Sequence, residues 1–229
     1  VIFSAPTYDL MPSSLFLKFM HRNLAYESAF LTKIGAIEPR DRVGALIAVG
    51  GSTRSWQSMA LECMQATTFT NSFKIVDTYM ATQVPAPGQV LLYDEKISRA
   101  REIGKNVMEA LKTKPEERKW LGDPDYGWCP NCHSNSLCLG EPQWKGLQYP
   151  IECTVCGAGG DLERTPDGKW KFVIAANGLE RDRTTEEGRG VHCDEIAETQ
   201  GGFFMDPKKR EEVAAKLPKY KELKFPELD

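Results

Sequence analysis

The chain is short of histidine, of long apolar runs and of any large excess of one charge. Each shortage excludes a class of protein. Lys+Arg number 29 against 32 Asp+Glu, a formal charge of −3 with pI ≈ 5.8. No global basic field therefore exists to gather nucleic acid or anionic lipid. No apolar run reaches the ~18 residues that a membrane-spanning helix needs. No basic stretch precedes an apolar segment, so no signal peptide is expected. Hydrophobic residues at 41% and charged residues at 27% exclude a disordered chain or collagen. An initiator Met is also missing. The chain opens on Val1-Ile2-Phe3, which reads like the inside of a strand. With 229 residues, one large domain or a domain plus a small module is expected, in the cytoplasm.

Cysteine, by contrast, is abundant and clustered. Five of the seven fall between residues 129 and 156. Cys129-Pro-Asn-Cys132 and Cys153-Thr-Val-Cys156 are two C-x-x-C pairs with 20 residues between them. Each pair forms a tight turn that points two thiolates at one metal, and two turns complete a tetrahedron. Gly157 after the second pair suits such a turn, because it can take positive φ. Disulfides are disfavoured by the odd cysteine total and the lack of a secretion signal. Structural Zn2+ on Cys129, Cys132, Cys153 and Cys156 is the expectation. Iron, held by the same ligands in a rubredoxin-like site, is the alternative. His133 is a possible substitute ligand, although four cysteines already fill the shell. Cys138 reads as a free thiol and Cys63 as a buried helix residue.

Short strand-like segments surround the pairs: Leu147–Thr154, Leu162–Thr165 and Lys169–Ala175, with Pro166-Asp167-Gly168 as a turn. Residues 126–176 are thus similar to a β zinc ribbon, too small to bury a core without metal. Its acidic residues Glu141, Glu152, Asp161 and Glu163 point to a protein contact or a lid role rather than DNA.

Residues 1–113 alternate between strand-like and helix-like segments. Val1–Ser4, Gly44–Val49 and Phe73–Val76 read as strands. Helices are expected from Pro12 to about Thr32, from Ser55 to about Phe69, and from an Asp94 cap to about Lys112. The last has Ile97, Ala100, Ile103, Val107, Ala110 and Leu111 as its apolar face. This order implies an α/β fold of parallel strands with crossover helices. Ligands then sit at the carboxyl ends of the strands. Two loops lie there, Ser4–Ser14 and Gly50–Trp56. Each also has a plain reading, as a strand-to-helix turn and as a glycine-rich turn.

The run SAPTYDLMPSSLFLKFMHR, Ser4–Arg22, resembles the third-strand loop and helix of the flavodoxin-like NADPH-dependent FMN reductases and their iron–sulfur flavoprotein relatives. VGALIAVGGSTRSWQSMAL resembles the fourth strand and its Gly-Gly loop. YDEKISRAREIGKNVMEAL resembles the closing helix, with an Ala-Arg-x-x-Gly step. The resemblance covers about half of the chain and rests on the order and spacing of these motifs. It implies a flavodoxin-like parallel sheet and an FMN ring framed by Pro6, Thr7, Tyr8, Asp9 and Leu10 on one side and Gly50, Gly51, Ser52 and Thr53 on the other. Tyr8 or Trp56 would stack on or flank the ring, and Arg54 would lie near the reduced flavin or a nicotinamide phosphate. In this family the phosphate loop follows the first strand. No such loop precedes Val1, so the N-terminal third of the domain is expected to lie outside this chain.

Beyond residue 176, His192-Cys193 is a neighbouring pair that reads more simply as loop or helix start. Gly201-Gly202 reads as a hinge before Phe203-Phe204-Met205. Asp206–Leu217 is expected to be a helix. Tyr220, Leu223, Phe225 and Leu228 are spaced as docking points in a charged tail. The expected organisation is a partial flavodoxin-like FMN-binding domain at 1–113, the ribbon at 126–176 and an extension at 177–229. The expected function is FMN-dependent transfer of electrons from NAD(P)H to a quinone-like, unsaturated or aromatic acceptor. The alternatives are an electron-transfer module serving a partner protein through the ribbon, and a non-catalytic ribbon interaction protein. A homo-oligomer is expected, with a possible protein partner on the ribbon or the C-terminal tail, and neither membrane nor nucleic acid.

Overall fold

The computed structural model describes residues 1–24, 28–139 and 149–222. It divides into two compact units, Val1–Gly190 and Val191–Asp229.

In the first unit, β1 (Ile2–Tyr8), β3 (Arg42–Val49) and β4 (Phe73–Ala81) form a parallel sheet, and β2 (Met11–Pro12) pairs antiparallel with the end of β1. The strand order is β2-β1-β3-β4. The register runs from Ile2 opposite Ala45 to Pro6 opposite Val49, and on to Val49 opposite Ala81. Successive β3 residues face opposite sides of the sheet. Leu46 and Ala48 pack with Phe16 and Met20 of α1 (Ser14–Asn23) and with Ala60, Leu61 and Met64 of α3 (Ala60–Thr68). Val43 and Ala45 pack with Ile103, Val107 and Ala110 of α4 (Asp94–Lys112). Helices therefore cover both faces of the sheet, the mixed α/β arrangement consistent with a flavodoxin-like fold. A short helix, α2 (Ser28–Lys33), follows α1.

Several boundaries differ from expectation. β1 runs four residues past Ser4, because Thr7 and Tyr8 pair with Pro12 and Met11. Pro12 thus lies in β2, not in a first helical turn. Ser13 is the N-cap of α1 instead, its hydroxyl accepting from the Phe16 N–H at 3.4 Å. The expected helix over 12–32 becomes α1 and α2, with residues 25–27 outside the described set. The helix expected from Ser55 is a 3-10 turn, Arg54–Gln57, followed by α3. Asp94 is the first helical residue rather than the cap, and there its charge complements the helix dipole. Leu111 is exposed, off the buried face of α4.

The cysteine-rich segment forms a second, antiparallel sheet. Its strands are β5 (Leu137–Leu139), β6 (Ile151–Cys153), β7 (Gly159–Arg164) and β8 (Trp170–Ile174), paired in chain order. The Pro166-Asp167-Gly168 turn joins β7 to β8, closed by the Gly168 N–H to Thr165 O at 2.8 Å. Residues 147 and 148 of the expected first strand, and Glu141, lie outside the described residues. Phe172, Ile151, Val155 and Ala158 surround the four paired-motif cysteines, and Phe69 at the end of α3 completes this core.

The second unit contains most of α5 (Glu186–Phe204) and all of α6 (Pro207–Lys221). Gly201-Gly202 is not a hinge: both glycines lie inside α5, where each costs about 1 kcal/mol relative to Ala without breaking the helix. His192 and Cys193 are also helical, so as sequence neighbours they do not face one another. The His192 ring approaches Glu195 instead, at 3.5 Å. Asp206 caps α6 by accepting from the Lys208 and Lys209 N–H groups. Leu223, Phe225 and Leu228 lie outside the described residues. Among the described residues no helix is long and apolar enough to cross a membrane.

Candidate functional site

The carboxyl ends of β1, β3 and β4 converge on a cavity of about 280 Å³. Pro6, Thr7 and Tyr8 line one side, and Val49, Gly50 and Gly51 line the second. The third is Val84-Pro85-Ala86-Pro87-Gly88 with Val90, a wall that sequence reading missed. A Pro-x-Pro-Gly run directly after an apolar strand was the available signal.

Backbone hydrogen bonds clip these walls together. Gly50 N–H donates to Ala81 O at 2.9 Å, Val84 N–H to Gly50 O at 3.0 Å and Gln83 N–H to Ser52 O at 3.1 Å. A Cβ at Gly51 would meet Pro85 at 2.8 Å, so only glycine lets the second and third walls approach this closely.

The β1–β2 connection carries strain. Asp9 and Leu10 have φ of 46° and 70°, the left-handed pair of a two-residue hairpin that glycine and asparagine prefer. Leu10 O accepts from Met59 N–H at 3.1 Å, which ties the hairpin to the entry of α3. Asp9 and Leu10 sit at the hairpin tip and do not line the cavity; nor do Ser52, Thr53 and Trp56. Trp56 is 66% exposed on its 3-10 turn, and Tyr8 is 67% exposed at the cavity edge. The Arg54 guanidinium lies 5.0 Å from the Tyr126 ring centre, a cation–π contact. Burial and the nearby Glu62 carboxylate push the Tyr126 phenol up to about 12.

Beneath the second wall lies Gln57, a residue sequence reading passed over. Its side chain accepts from the Thr7 hydroxyl at 3.3 Å and donates to Ser52 O at 3.1 Å.

The second candidate is the four-cysteine cluster. The sulfurs of Cys129, Cys132, Cys153 and Cys156 all lie within 4.8 Å of one another and all four residues are buried. Cys129 and Cys156 Sγ are 3.6 Å apart, Cys132 and Cys153 Sγ 3.5 Å, and all four cysteines are free thiols. A tetrahedral zinc with ~2.3 Å bonds sets its sulfurs ~3.8 Å apart, so the donor set fits a metal. The two turns share a geometry. His133 N–H donates to Cys129 O and Gly157 N–H to Cys153 O, both at 2.8 Å. His133 and Gly157 have φ of 58° and 81°, so histidine occupies the left-handed position that glycine fills in the other turn. The His133 ring is no ligand in this arrangement: it stacks on Trp120 at 4.1 Å, and its Nδ1 lies 3.0 Å from Tyr126 O.

Both turns are anchored on the core. Gln65 on α3 donates to Cys132 O at 2.7 Å, and Glu62 accepts from Asn135 N–H. Arg183 reaches Thr154 O and Val155 O, and Arg189 reaches Ser72 Oγ. Cys138 is exposed on β5, outside the cluster. Cys63 is only half-buried; burial and Glu62 raise its thiol pKa.

No family model matches the chain. Over 159 residues it is 28% identical to the flavone synthase cfoJ of Aspergillus candidus, which covers 69% of this chain and 47% of that protein. The chain thus spans about half the length of the curated relative it matches. A solved structure named flavone reductase is similar with a TM-score of 0.75 and 24% identity, covering the whole chain and 78% of that structure. That likeness shows the fold.

Proposed function

We propose that the chain is the core of an FMN-dependent oxidoreductase that passes electrons from NAD(P)H to an unsaturated or aromatic acceptor. One observation carries this reading: three loops of a flavodoxin-like sheet converge on a largely apolar cavity of about 280 Å³, in a chain similar over its full length to a protein named flavone reductase. The residues present suit a flavin. Gly50 and Gly51 let backbone groups approach a ring's polar edge, and Pro6, Val84 and Pro85 supply flat apolar walls. Tyr8 stands at the edge to flank the ring. The flavin, when bound, accepts and donates the hydride equivalent. The loops bind and orient the ring and exclude water from its apolar face.

The same reading assigns zinc to the four-cysteine cluster, as a structural centre in a ribbon-like module. Reduced cysteines, four of them gathered at one metal-competent point, suit a reducing compartment such as the cytoplasm. A second copy of the chain is the proposed partner. Exposed Tyr8, Met11, Trp56 and Met59 offer apolar surface near the cavity.

The test is a visible spectrum and metal analysis of the intact protein. A flavin band near ~450 nm, bleached by NAD(P)H and restored by a flavone, is the expected result. A colourless protein that takes up no FMN overturns the reading. One equivalent of zinc is expected; an iron-coloured protein overturns the zinc assignment.

A further inference from the structure

Gln57 is 1% exposed and joins the first wall of the cavity to the segments that carry the other two. Its Oε1 accepts from Thr7 on the first wall, and its Nε2 donates to Ser52 O, the residue after the second wall. The same Ser52 oxygen accepts from the N–H of Gln83, the residue before the third wall. The amide also lies against Gly50, where a Cβ would come within 2.4 Å of its Cδ and Oε1. We propose that Gln57 is a positioning residue that sets the spacing of the three loops, and through it the width of the slot that receives the flavin ring. The proposal rests on the flavin reading above.

The chemistry needs an amide in particular. One end must accept from a hydroxyl while the other donates to a carbonyl, and neither end has water to fall back on. A carboxylate only accepts, so its second oxygen would face the Ser52 carbonyl with no proton between them. A protonated carboxyl is different: its O–H donates and its C=O accepts, as the amide does. A glutamate at position 57 would be buried, and burial raises a carboxyl pKa. The amide's hydrogen-bond partners are the Thr7 hydroxyl and the Ser52 carbonyl, and neither titrates in this range. Q57E is therefore a form of the protein in which pH alone makes or breaks the bond to Ser52.

The experiment titrates FMN into intact wild type, Q57E and Q57L at pH 5.5 and 8.5, followed by quenching of flavin fluorescence, with thermal midpoints measured alongside. Q57L is expected to bind about tenfold more weakly at both pH values, the loss that one buried hydrogen bond implies. Q57E is expected to bind within about threefold of wild type at pH 5.5 and about tenfold more weakly at pH 8.5. Wild-type affinity in both variants at both pH values overturns the proposal. So does an equal loss in Q57E at both pH values, the signature of a merely structural role. If Q57E does not fold, Thr7→Val decides: a loss of about threefold supports the proposal and no loss overturns it. If wild type takes up no FMN, the flavin reading fails on its own. Hydrogen exchange at Gln83 and Val84 then tests the spacing: faster exchange in Q57E relative to wild type at pH 8.5 only supports it, and unchanged exchange overturns it.

Discussion

The three-loop cavity and the four-cysteine module solve the same problem, holding irregular backbone in place, by opposite means. The cavity loops rest on a packed parallel sheet with helices on both faces and are joined by single hydrogen bonds around one buried amide. The module has a small core in which the four cysteines themselves are the centre. A sheet that small does not stabilise itself, so the zinc proposal assigns most of its folding free energy to the metal. The cavity is thus fixed by geometry inherited from the sheet, whereas under the zinc proposal the module is fixed by a bond that chelation can remove.

The largest effect expected is the one that separates the two. Cys129→Ala should abolish stoichiometric zinc and unfold the module, since structural zinc in isolated fingers contributes on the order of 10 kcal/mol. Hydrogen exchange should then show β5–β8 unprotected while β1, β3 and β4 keep their protection. Full zinc content in Cys129→Ala, or collective loss of both sheets, breaks the comparison. Phe69→Ala comes next, because Phe69 belongs to α3's end yet packs among the cysteines. A loss of about 3–5 kcal/mol in denaturant unfolding is expected, with weaker zinc retention under chelator competition. If zinc retention does not change, the module is held on the core by its hydrogen bonds alone.

Gly50→Ala tests the cavity side. The added methyl would meet the buried Gln57 amide at 2.4 Å, for a cost of about 1–3 kcal/mol. Zinc binding should not change. The smallest effect belongs to Asp41, whose carboxyl the Arg118 guanidinium holds below its usual range. A depressed folded pKa contributes stability above the unfolded value near ~3.9, and this is lost as pH falls through the folded value. Half-exposure of Asp41 limits the contribution to well under about 1 kcal/mol. Asp41→Asn should therefore lower stability slightly at neutral pH and flatten the acid limb of the stability curve, leaving cavity and module alike.

The readable parts of the chain were those with a short-range signature. Apolar runs at β3 and β4 located the strands, and helical spacing located α4 with Ile103, Val107 and Ala110 on its buried face. Two C-x-x-C turns brought to one point required only their spacing. The hairpin at Asp9-Leu10 was not readable, because Leu10 rarely takes positive φ; β1–β2 pairing and the Met59 bond impose it. Gln57 falls within the helix expected from Ser55 and carries no signal of its own, and the 3-10 turn that buries it is a tertiary feature. His133 reads only as a substitute ligand beside a full shell of four cysteines, and its ring stacks on Trp120 instead.

By itself, then, the sequence determined the alternation of strands and helices, the glycine-rich turn after β3 and the four metal-competent thiols, since each follows from residue type and local spacing. Which wall closes the cavity, which side chain joins its loops and where the cysteine module is anchored were decided by the tertiary structure. Val84–Gly88, Gln57 and the Gln65–Cys132 bond connect residues far apart in the chain, and only the folded sheet brings their partners within reach.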